Sequence, residues 1–168
     1  RSYINRYGVV PGNRTVVFTN NDDAYRTALA LHVAGAHVVV VDLRRDLKGE
    51  LVKAVRAASI EVMSGSAVTI AAGTQHIARV EISPVNEGAT QVLDDPIHMD
   101  CDLLAMSGGL TPAVHLHSQA RGKLGWDEQQ LCFKPITVHE ASFNAGAGNG
   151  VFATDKAIEN GMQAGTAA

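Results

Sequence analysis

Three places in this 168-residue sequence hold residue types that could do chemistry. The first is Asn144-Ala145-Gly146-Ala147-Gly148-Asn149-Gly150, just ahead of a helical stretch from about Val151 to Met162. Glycines before a helix N-terminus can present bare backbone N–H groups and the helix dipole to an anion. The same spacing suits a flexible connector ahead of a packing helix, and a single glycine-rich turn does not choose between the two. The second place is Thr19-Asn20-Asn21-Asp22-Asp23-Ala24, where a strand hands over to a helix. A dinucleotide fingerprint would set G-x-G-x-x-G there, so that the backbone can approach a pyrophosphate. This turn has no glycine. Asp22 and Asp23 suit the helix dipole but would occupy the phosphate position and repel it. Asp42 stands where a ribose-binding acid belongs, and without the glycines it reads as a leftover or a strand-end cap. The third place is His115-x-His117, a possible metal pair on a strand. It has no carboxylate or cysteine partner at ligand spacing, so it reads as incidental. His117-Ser118 lacks the third member and the oxyanion turn of a nucleophilic triad. No catalytic residue and no metal ligand is assigned.

These residues need elements to hold them, and the stretch Arg14–Arg45 supplies the clearest. Val16–Phe18 reads as a strand. Ala24–Ala34 has apolar residues at helical spacing and ends at Gly35. His37–Val41 is a β-branched run of the kind covered on both faces. Together they make a βαβ unit with parallel strands. Lys48–Ser59 is a second amphipathic helix with Leu47, Leu51, Val52 and Val55 on its buried stripe. Ile60–Met63 is a third parallel strand. Ser66–Ala72 and His76–Pro84 form an antiparallel hairpin about Ala72–Gln75.

Further along, Gly88–Asp100 reads as a polar connection leading into the strand Leu103–Met106. A glycine turn at Ser107–Pro112 follows, then a short helix or loop at Ala113–Ser118. Gln119–Gln130 is polar and holds Trp126, which reads as a packing anchor. Leu131–Phe133 is a short strand, and Pro135–His139 is looser. Met99 and Met106 read as core filler. Arg121 and Lys123 read as a solvated or subunit-facing charge pair. Ahead of all this, Arg1–Asn13 is a lead-in anchored by Tyr3, Ile4, Tyr7, Val9 and Val10, with a turn at Pro11-Gly12.

Composition agrees with a globular α/β chain: 46% of residues are apolar and the formal charge is −3. No basic cluster exceeds Arg44-Arg45, which argues against a nucleic-acid surface. No apolar run reaches spanning length and no signal peptide is visible. Cys101 and Cys132 stand apart, as reduced buried thiols of a cytoplasmic protein would. The chain starts at Arg1 and ends in a small-residue tail, and so reads as cut from a longer polypeptide.

The segments Tyr3–Gly12, Phe18–Tyr25, Cys101–Lys123, Trp126-Asp127 and Gly146–Phe152 resemble the alpha subunits of heterotetrameric sarcosine oxidases and of related bacterial amino-acid dehydrogenase complexes. The resemblance covers nearly the whole chain. It implies two nested dinucleotide-type domains of the disulfide-reductase kind, with 1–96 a Rossmann-like inserted domain lacking G-x-G-x-x-G. Residues 97–168 would be the returning part of the other domain. It also implies the family's activity, oxidation of sarcosine to glycine with formaldehyde or methylene-tetrahydrofolate and hydrogen peroxide. NAD would be bound noncovalently by the alpha subunit, FAD and FMN would lie elsewhere in the complex, and the partners would be the other subunits. Reductase flavoproteins carry Ala-Gly-Asp before the last helix, whereas this chain reads Ala145-Gly146-Ala147. Loss of that carboxylate fits NAD rather than FAD. By the resemblance, Gly146, Ala147, Gly148, Phe152 and Thr154 line the NAD site. The alternative is a purely structural, subunit-contact module. A fragment lacking its neighbours would expose apolar surface and self-associate.

Overall fold

The computed structural model describes residues 1–139 and 141–167, which fall into two compact units, Arg1–Gly109 and Leu110–Ala168. The first begins with a short helix, α1 (Ser2–Tyr7), and then follows the expected βαβ order. Its elements are β1 (Arg14–Thr19), α2 (Asp23–Val33), β2 (His37–Asp42), α3 (Glu50–Ala57) and β3 (Glu61–Ser64). Next come β4 (Ser66–Gly73), β5 (Ile77–Pro84), β6 (Ile97–Asp100) and β7 (Leu103–Ser107). The parallel sheet has the order β3-β2-β1-β7. A second, antiparallel sheet has the order β4-β5-β6. The fold is therefore α/β and Rossmann-like, with an antiparallel ribbon.

The β-branched run of β2 explains the layering. Val38 and Val40 point into one core with Val17 of β1, Tyr25, Ala28 and Leu31 of α2, and Val52 and Val55 of α3. Val41 and Val16 point the other way, onto Val80, Ile82 and Cys101 of the ribbon side. Alternate residues of one strand thus serve two cores. Each fully buried Val or Leu contributes about 1.5–3 kcal/mol. Gly35, at φ +92°, ends the turn between α2 and β2 in a conformation that favours glycine.

Two segments depart from expectation here. The connection Gly88–Asp100 ends in a strand, because β6 pairs with β5 from Arg79 opposite Asp100 to Ile82 opposite Ile97. Strand β6 completes the ribbon and β7 pairs with β1, both within Arg1–Gly109. In the lead-in, Tyr3 and Tyr7 are exposed, and only Ile4 and Val10 pack on the core.

The second unit holds α4 (His115–Gln119), β8 (Lys123–Asp127), β9 (Cys132–Thr137), a 3₁₀ turn (Gly146–Asn149) and α5 (Thr154–Ala167). Strands β8 and β9 form a two-stranded antiparallel ribbon. The polar stretch Gln119–Gln130 therefore contains a strand. Trp126 is no packing anchor within its unit: it is 49% exposed, edge-on to the exposed Phe133 at 5.1 Å between ring centroids. Met106, expected in the core of the first unit, is 69% exposed. No helix among the described residues is long and apolar enough to cross a membrane.

Candidate functional site

The Thr19–Ala24 turn is closed by its own side chains. Asn21 Oδ1 accepts the N–H of Asp23 at 3.1 Å and caps the start of α2. Asn21 Nδ2 donates to the Ser107 carbonyl at 3.0 Å, and Thr19 Oγ1 donates to the same carbonyl at 3.2 Å. Asn20 Nδ2 donates to the Gly108 carbonyl. Both asparagines are thus turned onto the end of β7.

Beside this turn lies a charged cluster of Asp22, Asp42 and Arg44. Asp42, fully buried at the end of β2, accepts from the Tyr25 hydroxyl at 2.9 Å and from Arg44 Nη2 at 2.8 Å. It also accepts the Arg44 backbone N–H at 2.9 Å, so the strand-end cap expected for Asp42 is real. Arg44 Nη2 reaches on to Asp22 Oδ1 at 2.8 Å. Burial, and then the bond to Asp42, push the Tyr25 phenol well above its usual range. The bonds to Asp42 and Asp22 strengthen the hold of Arg44 on its proton. Both carboxylates are thus paired with one guanidinium, and Asp42 also holds the Tyr25 hydroxyl.

At the carboxyl ends of β1 and β7, where ligands of open α/β sheets usually sit, there is an apolar cavity of about 190 Å³. Phe18, Leu43 and Met106 line it. It is smaller than pockets that bury drug-sized ligands.

The glycine turn of the second unit is built differently. Gly146, at φ +57°, donates its N–H to Asn160 Oδ1 of α5 at 3.0 Å. The N–H groups of Gly148, Gly150 and Val151 bond the carbonyls of Ala145, Ala147 and Gly146. The bare donors expected of an anion-binding turn are therefore spent at 146, 148, 150 and 151. Asp155 in the first turn of α5 adds a negative charge. What the turn offers is room. A side chain at Gly148 would meet nothing nearer than the Ala113 carbonyl oxygen at 3.7 Å and Asn144 Oδ1 at 4.0 Å. Ala147 and Thr154 are exposed and Phe152 is half-buried, all within ten residues of one another around the start of α5.

His115 and His117 are on a helix, not a strand, and His117 alone is buried. Its ring is held on both sides, by the Lys123 carbonyl at Nε2 and by Asn144 at Nδ1, each at 3.0 Å. No group of three or more potential metal ligands occurs among the described residues. Sequence reading missed this His117–Asn144 link, the Asn160 bond and the role of Arg44. The partners lie 27, 14 and 22 residues apart, and no short spacing marks them. Cys101 and Cys132 are free and buried, as expected, and burial raises the Cys101 thiol above its usual range.

No family model matches the chain. Over all 168 residues it is 36% identical to the sarcosine oxidase subunit alpha of Corynebacterium sp. strain P-1, and covers 17% of that protein. Over 163 residues it is 35% identical to the same subunit of Corynebacterium sp. strain U-96, again covering 17%. Among solved structures, the thioredoxin reductase of T. acidophilum matches with a TM-score of 0.69 at 17% identity. It covers 92% of this chain and 51% of that one. The thioredoxin reductase of Lactococcus lactis gives a TM-score of 0.65 at 20% identity, over the same shares. The chain therefore resembles, over its whole length, one segment of the sarcosine oxidase alpha subunit, and carries that resemblance on the fold of the thioredoxin reductases.

Proposed function

We propose that this chain is a segment of the alpha subunit of a heterotetrameric sarcosine oxidase, where it contributes to noncovalent NAD binding and to subunit structure. It supplies no catalytic residue. The complete assembly is an oxidoreductase acting on the CH–NH bond of sarcosine with oxygen as acceptor, and FAD and FMN are held outside this segment. The observation that carries the reading is the 36% identity to such a subunit over every residue of the chain. The cytoplasm is the compartment that fits two free thiols.

Within the segment, the closed Asp22–Arg44–Asp42 cluster argues against NAD on the first unit. The second unit offers the open flank of Gly148, with Ala147, Phe152 and Thr154 around the start of α5. These groups fit the neutral parts of a dinucleotide better than its phosphates, because the turn's N–H groups are largely spent. NAD, when bound, supplies its nicotinamide and adenine heads. The residues named here bind and orient it and move no proton.

The test is Gly148→Leu in the complete complex, followed by NAD content after purification. Gly148 has φ outside the left-handed region and no close neighbour, so the local fold tolerates the side chain. Loss of NAD is expected. Unchanged NAD content would favour the second reading, a purely structural, subunit-contact module, which the internally satisfied N–H groups support.

A further inference from the structure

His117 is 5% exposed, yet nothing in the proposed function uses it. Its seat is specific. A Cβ at Gly122 would lie 2.2 Å from its Nε2, so only glycine fits there. Nε2 lies 3.0 Å from the Lys123 carbonyl oxygen, which can only accept. Nε2 therefore carries the proton, and in the neutral ring Nδ1 is left as an acceptor. Nδ1 lies 3.0 Å from the Asn144 side chain. The amide must then donate, so its NH2 faces the ring and its oxygen faces away. Among the described residues, and apart from chain neighbours and the turn's own backbone, that oxygen and the Ala113 carbonyl oxygen are the only heavy atoms within 4 Å of the side-chain position at Gly148.

We propose that His117 is a positioning residue that fixes the Asn144 amide, so that Asn144 Oδ1 and the Ala113 carbonyl present a pair of hydrogen-bond acceptors beside Gly148, and the ligand group that docks there is an NH2 donor. This rests on the reading that the Gly148 turn binds NAD. It refines that reading, because two acceptors repel a phosphate and match an amino or carboxamide group. NAD has two such groups, the adenine amino group and the nicotinamide carboxamide. Each is replaced by oxygen in a simple analogue: the hypoxanthine dinucleotide and the nicotinic acid dinucleotide.

The experiment titrates NAD and both analogues into the complete complex, freed of bound nucleotide, by calorimetry. One analogue is expected to bind at least about tenfold more weakly than NAD, since it leaves two acceptors facing an oxygen. In Asn144→Leu that preference should vanish. In Asn144→Asp, which keeps an oxygen beside Gly148 whichever way it turns, the preference should persist. In His117→Ala the amide is free to rotate, and most of the preference should be lost. His117→Gln, whose side-chain oxygen can accept from Asn144, should restore part of it. A residue that merely supports the fold would weaken all three ligands alike. Equal binding of NAD and both analogues to the unaltered complex overturns the inference while the NAD reading stands, even if the leucine variant fails to fold. No binding of any of the three overturns both.

Discussion

Two turns in this molecule lead into helices, and they are closed in opposite ways. Ahead of α2, side chains do the closing: Asp22 and Asp42 hold Arg44 between them, and Asn20 and Asn21 fasten the backbone to β7. Ahead of α5, main-chain groups and Asn160 do it, and one flank stays open at Gly148. The first turn also stands on two packed cores, whereas in the second unit few side chains are buried, Cys132 and His117 among them. The contrast teaches that a βαβ unit can close its first turn with charged side chains and keep its architecture. A carboxylate–guanidinium cluster closes that turn from within. Because Asp42 is wholly buried, that closure is committed, and the unit depends on it.

The sharpest way to break the comparison is Arg44→Met. It leaves Asp42 buried without its cation and should destabilise the chain by about 3 kcal/mol, the low end for a broken buried pair because the guanidinium is partly exposed. Urea unfolding measures it, and a change within experimental error would show that the first turn is not held by charge. In the second unit, Gly122→Ala drives a methyl group into the His117 ring and should cost about 2 kcal/mol by the same measurement.

Tyr25→Phe sharpens the comparison at a smaller scale, about 1.5 kcal/mol for a hydrogen bond to a charged acceptor. It also has a pH signature. The folded phenol keeps its proton beyond the pH at which an unfolded tyrosine loses it, at about 10. The stability this bond carries is therefore complete below about pH 10 and declines as pH rises further. Melting temperatures between pH 9 and 11 should fall in the unaltered chain more steeply than in the phenylalanine variant.

The smallest effect belongs to Asp127. Its bond to Lys134 at 2.8 Å, aided by the backbone N–H of Gln130, holds its carboxyl below the usual range. The stability it lends the β8–β9 ribbon is present above about pH 4 and is lost on acidification. Asp127→Asn should flatten that part of an acid titration.

Elements built on local periodicity were plain in the sequence: β1, α2, β2 and α3 all follow from apolar spacing, and Gly35 marks its turn. That the first turn lacks the G-x-G-x-x-G pattern was also plain, because Thr19–Ala24 contains no glycine. What stayed hidden was nonlocal or exposed. Strand β6 is only four residues, Ile97-His98-Met99-Asp100, and an alternation that short and mostly exposed does not stand out from a connection. Strand β8 places Trp126 and Lys123 in solvent, which defeats the rule that large apolar side chains seek a core. Met106 breaks the same rule at the rim of the β1–β7 cavity. Arg44 looked like half of a surface basic pair, and only the fold brings Asp22 to it.

We propose that a dinucleotide belongs to the glycine turn of the second unit and not to the closed turn of the first. The most direct measurement is NAD content of the complete complex carrying either Gly148→Leu or Asn20→Trp, which crowds the first turn. Loss of NAD in the former and retention in the latter is the predicted result. The reverse pattern would contradict the account.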